Sequence, residues 1–151
     1  MKTIFFVSLS LIGMSMEIFG QKDSNQKLPD TWTEDFTIEL NLSGNRDGSY
    51  SKMKFTYTSC EYDIYKRNAT RSNKGTKALT ENDRNQILKF LKKNKVETFT
   101  SEQMPVRDGY RSSVCFQPGF CMEGGTGAEM SKENKTLFNT VYAYLSSFPN
   151  K

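Results

Sequence analysis

Alternating apolar and polar positions predict β-strands in the first half of the chain. Between residues 36 and 42, every second residue is Phe, Ile or Leu, and the positions between them hold Thr, Glu and Asn. This alternation is typical of a strand with one buried face. It recurs over residues 53–57 and, with a change of parity near residues 59–60, over residues 62–64. The pattern predicts an antiparallel meander of three strands with one face in water.

A different pattern, with apolar residues three and four positions apart, predicts two amphipathic helices. In residues 80–93, four apolar residues fall on one arc at about 100° per residue, and three lysines fall on the opposite side. Thr80 is a typical N-cap, and Asp83 follows three residues later, as in a capping box. A second helix is predicted over residues 132–148, with Ser131 as its cap.

The rest of the chain predicts one further strand pair and several connections. Residues 110–116 alternate again, and residues 120–122 are predicted as a short partner strand after Pro118-Gly119. Four other stretches lack either pattern: a short extended piece is predicted over residues 96–99, and loops are predicted over residues 68–77, 101–109 and 123–129.

Together these elements predict a single α+β domain over residues 35–151. Its antiparallel β-sheet consists of the meander and the later hairpin, and both amphipathic helices pack on one face of that sheet. Residues 21–34 are predicted as a polar N-terminal tether, in which Trp32 is available to dock on the core. The core is predicted from the positions turned inward, namely Phe36, Ile38, Leu40, Phe55, Tyr57, Ile87, Leu91, Val114, Phe138, Val141 and Leu145.

The first twenty residues have the pattern of a cleaved signal peptide. Lys2 precedes an apolar run of eleven residues, 4–14, which is too short to span a bilayer as a helix. Cleavage is predicted near Gly20-Gln21, with residues 13–15 as a second candidate site. We therefore expect an exported protein, periplasmic or secreted, with no transmembrane segment in its mature chain.

The chain contains no histidine. Ser-His-Asp and Cys-His catalysis both need an imidazole base, so both are excluded, and the commonest zinc ligand is absent. Two carboxylate pairs remain, Glu34 with Asp35 and Glu61 with Asp63, and the second pair shares one face of a strand. Exposed strand carboxylates are common, so we predict a protein that is not an enzyme and has no cofactor or metal site.

Positive charge is concentrated in the middle of the chain. Residues 66–95 contain ten Lys or Arg and two acidic residues, a local charge of +8 in a chain whose net charge is +4. The lysines on the polar side of the first helix are where a solvated face would place them. The cations before that helix, and one within its apolar arc, are the predicted binding residues: Lys66, Arg67, Arg71, Lys74, Lys77 and Arg84.

Such a surface fits an acidic partner. The predicted candidates are an acidic protein, an anionic lipid and an acidic glycan. Nucleic acid is not expected because the protein is predicted to be exported. The alternative interpretation of the same charges is a helix face and a loop in contact with water only.

Three cysteines, Cys60, Cys115 and Cys121, allow one disulfide in an exported protein. Cys115 and Cys121 face each other if the hairpin loop has three residues, 117–119. A two-residue Pro-Gly loop would instead place Cys115 opposite Met122. A bridge from Cys60 to either of the others, or no bridge, remains open at this level.

The order of elements resembles that of small exported bacterial domains of unknown function. A strand meander is followed by Lys74-Gly75, then by Ala78-Leu79-Thr80 at the start of an amphipathic helix. Over residues 36–91 this layout is distantly similar to that of emfourin-type inhibitors of metalloproteases. Where those domains carry a Gly-Gly-Phe-Ala-Gly-type turn, this chain has residues 43–48, SGNRDG. The resemblance implies an inhibitor and indicates no site residues.

The sequence therefore predicts a non-catalytic exported binding protein that acts through a basic surface. One alternative is a protease-inhibitor-like protein that uses a loop, with residues 117–119 or the turn at Asp47 as candidates. A second alternative is an enzyme that uses only the carboxylates Glu61 and Asp63.

Overall fold

The computed structural model describes residues 27–43, 48–67, 71–100, 111–125 and 130–150. These residues form a six-stranded antiparallel sheet and two α-helices, so the predicted α+β class is confirmed. The predicted signal peptide and the predicted loops over residues 101–109 and at Asp47 lie outside the described residues.

The strands form a meander extended by a later hairpin. In the sheet they follow the order β4-β3-β2-β1-β5-β6, with every neighbouring pair antiparallel. The strands are β1 (Thr37–Ser43), β2 (Tyr50–Phe55), β3 (Ser59–Tyr65), β4 (Asn73–Ala78), β5 (Arg111–Gln117) and β6 (Cys121–Gly125). The meander β1 to β4 thus supplies one side of the sheet, and the hairpin β5–β6 joins it beside β1.

One face of the sheet is apolar across β1, β2 and β5 because the alternation of these strands is in register. Ile38 is paired with Phe55 of β2 and with Phe116 of β5, and Leu40 is paired with Met53 and Val114 in the same way. All of these side chains are buried. Directly opposed residues lie on the same side of an antiparallel pair, so the intervening polar residues share the other face, which we call the open face.

Two helices cover the apolar face. Helix α1 (Glu81–Lys93) begins with the predicted capping box between Thr80 and Asp83, and helix α2 (Lys132–Ser146) is capped by Ser131. Their buried apolar residues belong to the same core cluster as the sheet's apolar face. The rings of Phe90 and Tyr144 stack at 3.7 Å between centroids and join the two helices.

The core contains ten of the eleven predicted residues. Tyr57 is the exception, because it lies in the turn between β2 and β3 and is only half-buried. Leu28 and Trp32, from the segment predicted as a tether, are buried as well.

Three local predictions are wrong. The predicted loop over residues 68–77 contains most of β4, and the predicted loop over residues 123–129 begins inside β6. Residues Val96–Thr98 form a 3-10 helix instead of an extended piece. In each case hydrogen bonding in the folded chain determines the backbone at residues whose side chains carry little or no apolar periodicity.

No helix in the described part of the chain is long and apolar enough to cross a membrane.

Candidate functional site

Four of the six predicted binding residues lie together where β3 turns into β4. Lys66 and Arg67 follow β3, Arg71 precedes β4, and Lys74 is the second residue of β4. All four are exposed. We call these four residues the basic hairpin, and its tip, residues 68–70, lies outside the described residues. The antiparallel pairing of β3 with β4 brings the two halves of this charge cluster to one end of the sheet.

Lys77 lies elsewhere and is used within the fold. Its ammonium group donates a hydrogen bond to the carbonyl oxygen of Phe148 at 3.3 Å and lies 5.0 Å from the centroid of that residue's ring. A cation over an aromatic face and next to a carbonyl is stabilised by both. Lys77 therefore links β4 to the C-terminal end of the chain, and it is only half-exposed.

Arg84 is also used within the fold, which explains why a cation lies in the apolar arc of α1. Its Nη1 donates hydrogen bonds to the carbonyl oxygens of Tyr57 at 2.6 Å and Leu79 at 3.1 Å. Its guanidinium carbon lies 4.0 Å from the centroid of the Tyr57 ring. Arg84 thus fixes the start of α1 against the turn between β2 and β3, and its charge is directed at the protein's own backbone.

Charges of alternating sign cross the open face beside the basic hairpin. They form two rows perpendicular to the strands, in which consecutive residues are paired across neighbouring strands. The rows are Glu39, Lys54, Glu61 and Thr76, and Asn41, Lys52, Asp63 and Lys74. Opposite charges directly across a strand pair stabilise the pairing. In the first row, Lys54 and Glu39 form an ion pair at 3.0 Å.

Asp63 is held in place by a second contact on the open face. The hydroxyl of Tyr50 donates a hydrogen bond to Asp63 Oδ1 at 3.1 Å, and the Tyr50 ring stacks on Tyr65 at 5.8 Å between centroids. The hydrogen bond to Asp63 is the main cause of the raised pKa of Tyr50, followed by burial of the phenol. The second charge row therefore has a fixed carboxylate between two lysines.

A shallow groove of about 410 Å³ lies over the two rows. Pockets for small ligands have similar volumes, but they are lined mainly by apolar and aromatic side chains with a few polar groups. Here six of the eight row residues are charged, and Met53, Tyr62 and Gly75 complete the lining. The groove thus presents charged groups of both signs at its surface.

The carboxylate pair Glu61 and Asp63 belongs to these rows. Both residues are on β3 and share the open face, as predicted. Glu61 is paired with Lys54 across the strands, and Asp63 is paired with Lys52. Each carboxylate thus has a cationic neighbour of the kind that stabilises an ordinary exposed sheet face. Glu34 and Asp35 are exposed in the segment before β1.

The disulfide joins Cys115 to Cys121. These residues are directly opposed across β5 and β6, with Cα atoms 4.0 Å apart. The amide of Phe116 donates to the carbonyl of Phe120 at 2.8 Å, so the loop has three residues, 117–119. All three are exposed beyond the bridge, and Cys60 is a buried free thiol. Of the pairings left open by the sequence, the one that needs a three-residue loop is therefore present.

Within the described residues, no group of three or more acidic or sulfur ligands is arranged to hold a metal ion. No protein-family model matches the chain, and no curated protein is detectably similar to it.

The charge rows are the part of the site that sequence reasoning missed. The sequence shows that charged residues occupy alternate positions on β2 (Lys52, Lys54) and on β3 (Glu61, Asp63). Which lysine lies opposite which carboxylate depends on the register of the two strands, which the sequence does not show. Because residues 68–77 were predicted as a loop, the prediction contained no strand β4 and so could not place the last residue of either row. One signal was available: a ten-residue loop is long compared with the usual connection of about 4–6 residues, which leaves room for a strand.

Proposed function

We propose that the chain is an exported, non-catalytic binding protein whose basic hairpin binds an acidic partner. Support for export comes from the signal-peptide pattern of residues 1–20 and from a disulfide, which persists in oxidising compartments. N-terminal sequencing of the exported protein should begin at Gln21.

The observation that carries the proposal is the contrast among the cations of the basic stretch. Lys77 and Arg84 are directed at backbone carbonyls, and Lys92 is paired with Asp30 at 3.1 Å. The four cations of the basic hairpin are exposed, and none forms an ion pair within the described residues. The remaining lysines of the stretch, on or just after α1, are exposed too, but only the four cations of the basic hairpin meet at one turn of the sheet. Clustered exposed cations that form no ion pair raise the local concentration of an anionic ligand and interact with it on contact.

The first test replaces all four basic-hairpin residues with Gln. The matched control replaces Lys89, Lys93, Lys132 and Lys135 with Gln, because these are exposed helix residues without an ion pair in the described part of the chain. Both variants lose four charges, and Gln is as good a helix former as Lys. Polyglutamate, heparin and vesicles containing phosphatidylserine are the probes for the three partner classes.

At low salt we expect the basic-hairpin variant to bind at least one probe about fourfold to about 900-fold more weakly than the wild type. The range corresponds to four exposed ion pairs at about 0.2–1 kcal/mol each. The control variant should bind like the wild type. Raising the ionic strength to about 1 M, where the screening length is about 3 Å, should abolish binding. Equal losses in the two variants would show that only net charge matters and would contradict the proposal.

A second candidate function is that of a protease inhibitor, and the hairpin tip favours it. Residues 117–119 project beyond the Cys115–Cys121 bridge and are exposed. A loop held in shape by a covalent link loses little entropy on binding, which favours tight association. Assays against metalloproteases and serine proteases should show inhibition that is lost on reduction. A panel without inhibition would remove this candidate.

A further inference from the structure

Among the described residues, strand β4 is an edge of the sheet, and no strand lies along its outer side. Its only strand neighbour in the described chain is β3, and no other backbone hydrogen bond from Asn73–Ala78 is made within that part of the chain. All six of its residues are exposed or half-buried. An edge strand presents unpaired N–H and C=O groups to which an extended polypeptide can add.

The charge row that ends on β4 indicates which residue would fit beside it. Lys52, Asp63 and Lys74 alternate in sign across β2, β3 and β4, and Lys74 is the last of them. A strand added to β4 would place one side chain directly opposite Lys74 on the open face. A carboxylate there continues the alternation, and a cation there is repelled.

The surroundings of Lys74 strengthen this preference. Residues 71–80 contain no acidic residue, and Lys66, Arg67 and Arg71 lie at the same end of the strand. A second copy of this chain would bring the same cations to the same edge. The charge therefore disfavours self-association through β4 and favours a different, acidic chain.

We propose that an extended acidic segment of a partner protein adds to β4 as a seventh strand, with a carboxylate opposite Lys74. This inference rests on the proposed function and specifies its ligand. The backbone of β4 supplies hydrogen bonds, Lys74 selects the charge and register, and the rest of the basic hairpin attracts neighbouring carboxylates.

The test uses a fluorescent peptide in which Glu and Thr alternate, and an analogue N-methylated at every interior residue. N-methylation removes the peptide's N–H donors and retains its carboxylates, so it separates strand addition from charge attraction. We expect the wild-type protein to bind the parent peptide about tenfold or more tightly than the analogue. Binding of the parent should also slow hydrogen exchange of the amides in β4.

A charge exchange at Lys74 tests the register. Lys74→Glu should weaken binding of the Glu-Thr peptide about tenfold, and a Lys-Thr peptide should bind this variant more tightly than it binds the wild type. Lys93→Glu is the control, because Lys93 is exposed on α1 and has the same charge change. An effect of Lys93→Glu equal to that of Lys74→Glu would overturn the inference.

The remaining outcomes separate this inference from the function on which it rests. Equal binding of the parent and the N-methylated peptide overturns strand addition, and the proposed function stands if replacing the basic hairpin with Gln weakens both peptides. Binding to heparin or anionic vesicles but to neither peptide also overturns it. Absence of binding to every anionic probe at low salt overturns both proposals.

Discussion

Burial in the folded protein makes the thiol of Cys60 unreactive. Its side chain is fully buried, and this burial raises the pKa of the thiol from its ordinary value of 9.0 to about 12. Lys77 lowers the pKa and Glu61 raises it, both as smaller effects. Only the thiolate is a good nucleophile. We therefore expect native protein not to react with a thiol reagent at neutral pH, and unfolded, unreduced protein to show one thiol per chain.

The same burial predicts how stability changes in alkali. The folded-state pKa is raised, so the stability that depends on the protonated Cys60 thiol is complete below pH 9.0 and decreases as the pH rises towards about 12. In Cys60→Ala this part of the pH dependence should be absent when unfolding is followed by urea titration.

The thiol count in the unfolded, unreduced chain has its own contradicting outcome. Three reactive thiols there would contradict the Cys115–Cys121 bond.

Arg84 shows how far residue-level prediction extends. The helical wheel identifies a cation among apolar positions, because that depends only on spacing along one helix. One partner, the carbonyl of Leu79, lies just before the same helix, but the other, the carbonyl of Tyr57, comes from the turn between β2 and β3 and becomes adjacent only when the sheet and helix pack. The sequence therefore identifies Arg84 as unusual but groups it with the basic hairpin, although its charge is used inside the fold.

At the scale of single elements, the start of α1 is fixed by a reciprocal pair of hydrogen bonds. The amide of Asp83 donates to Thr80 Oγ1 at 3.2 Å, and the amide of Thr80 donates to Asp83 Oδ2 at 2.9 Å. Thr80→Ala should lower the free energy of unfolding by about 0.5–2 kcal/mol near neutral pH. Thr80→Ser keeps the hydroxyl and should cost much less, so equal losses in a urea titration would contradict this role of the cap.

The capping box also predicts a dependence on acid. The hydrogen bonds from Thr80, first its side chain and then its backbone, lower the pKa of Asp83 below its ordinary value of 3.8. A lowered folded-state pKa stabilises the fold above pH 3.8, and this stabilisation is lost as the pH falls through the folded value. The difference in stability between wild type and Thr80→Ala should therefore be smaller below that pH than at neutral pH.

Elements were predictable to the extent that they carry an apolar pattern or a cap. The helices and the strands β1, β2, β3 and β5 have one or both, and their positions follow from the sequence. Strand β4, Asn73–Ala78, is polar on both faces, and it forms because β3 offers a hydrogen-bonding edge. Its Gly75 packs under Tyr62, whose Cζ would lie 2.8 Å from a Cβ at that position. The pairing of β3 with β4 cannot be predicted from the sequence of β4 alone.

At the scale of the whole molecule, the segment before β1 is joined to the core. Leu28 and Trp32 are 1% and 6% exposed, and the Trp32 ring meets Phe36 edge-on at 5.0 Å between centroids. The amide of Leu28 donates to Glu97. Trp32→Ala should therefore lower the free energy of unfolding by about 3–5 kcal/mol, as monitored by circular dichroism in urea.

Thr33→Ala is the control for this segment, because Thr33 is exposed and such changes usually stay within about 0.5 kcal/mol. A loss below about 1 kcal/mol in Trp32→Ala would show that the segment unfolds separately from the sheet. The docking of Trp32 was predicted, because a single large aromatic in a polar segment is available to pack on the core. The burial of Leu28 was not, because an isolated apolar side chain in a polar run has no period to detect.

Trp32 is also the chain's single tryptophan. Indole emission shifts to longer wavelength when the ring moves from an apolar environment into water, so the intrinsic fluorescence of the unlabelled protein reports whether the segment before β1 is docked. The optical signal comes from the end of the molecule at which the predicted signal peptide would be removed. Processing, ligand binding or proteolysis that displaces this segment should therefore shift the emission maximum of Trp32 to longer wavelength, and no attached probe is needed to detect it.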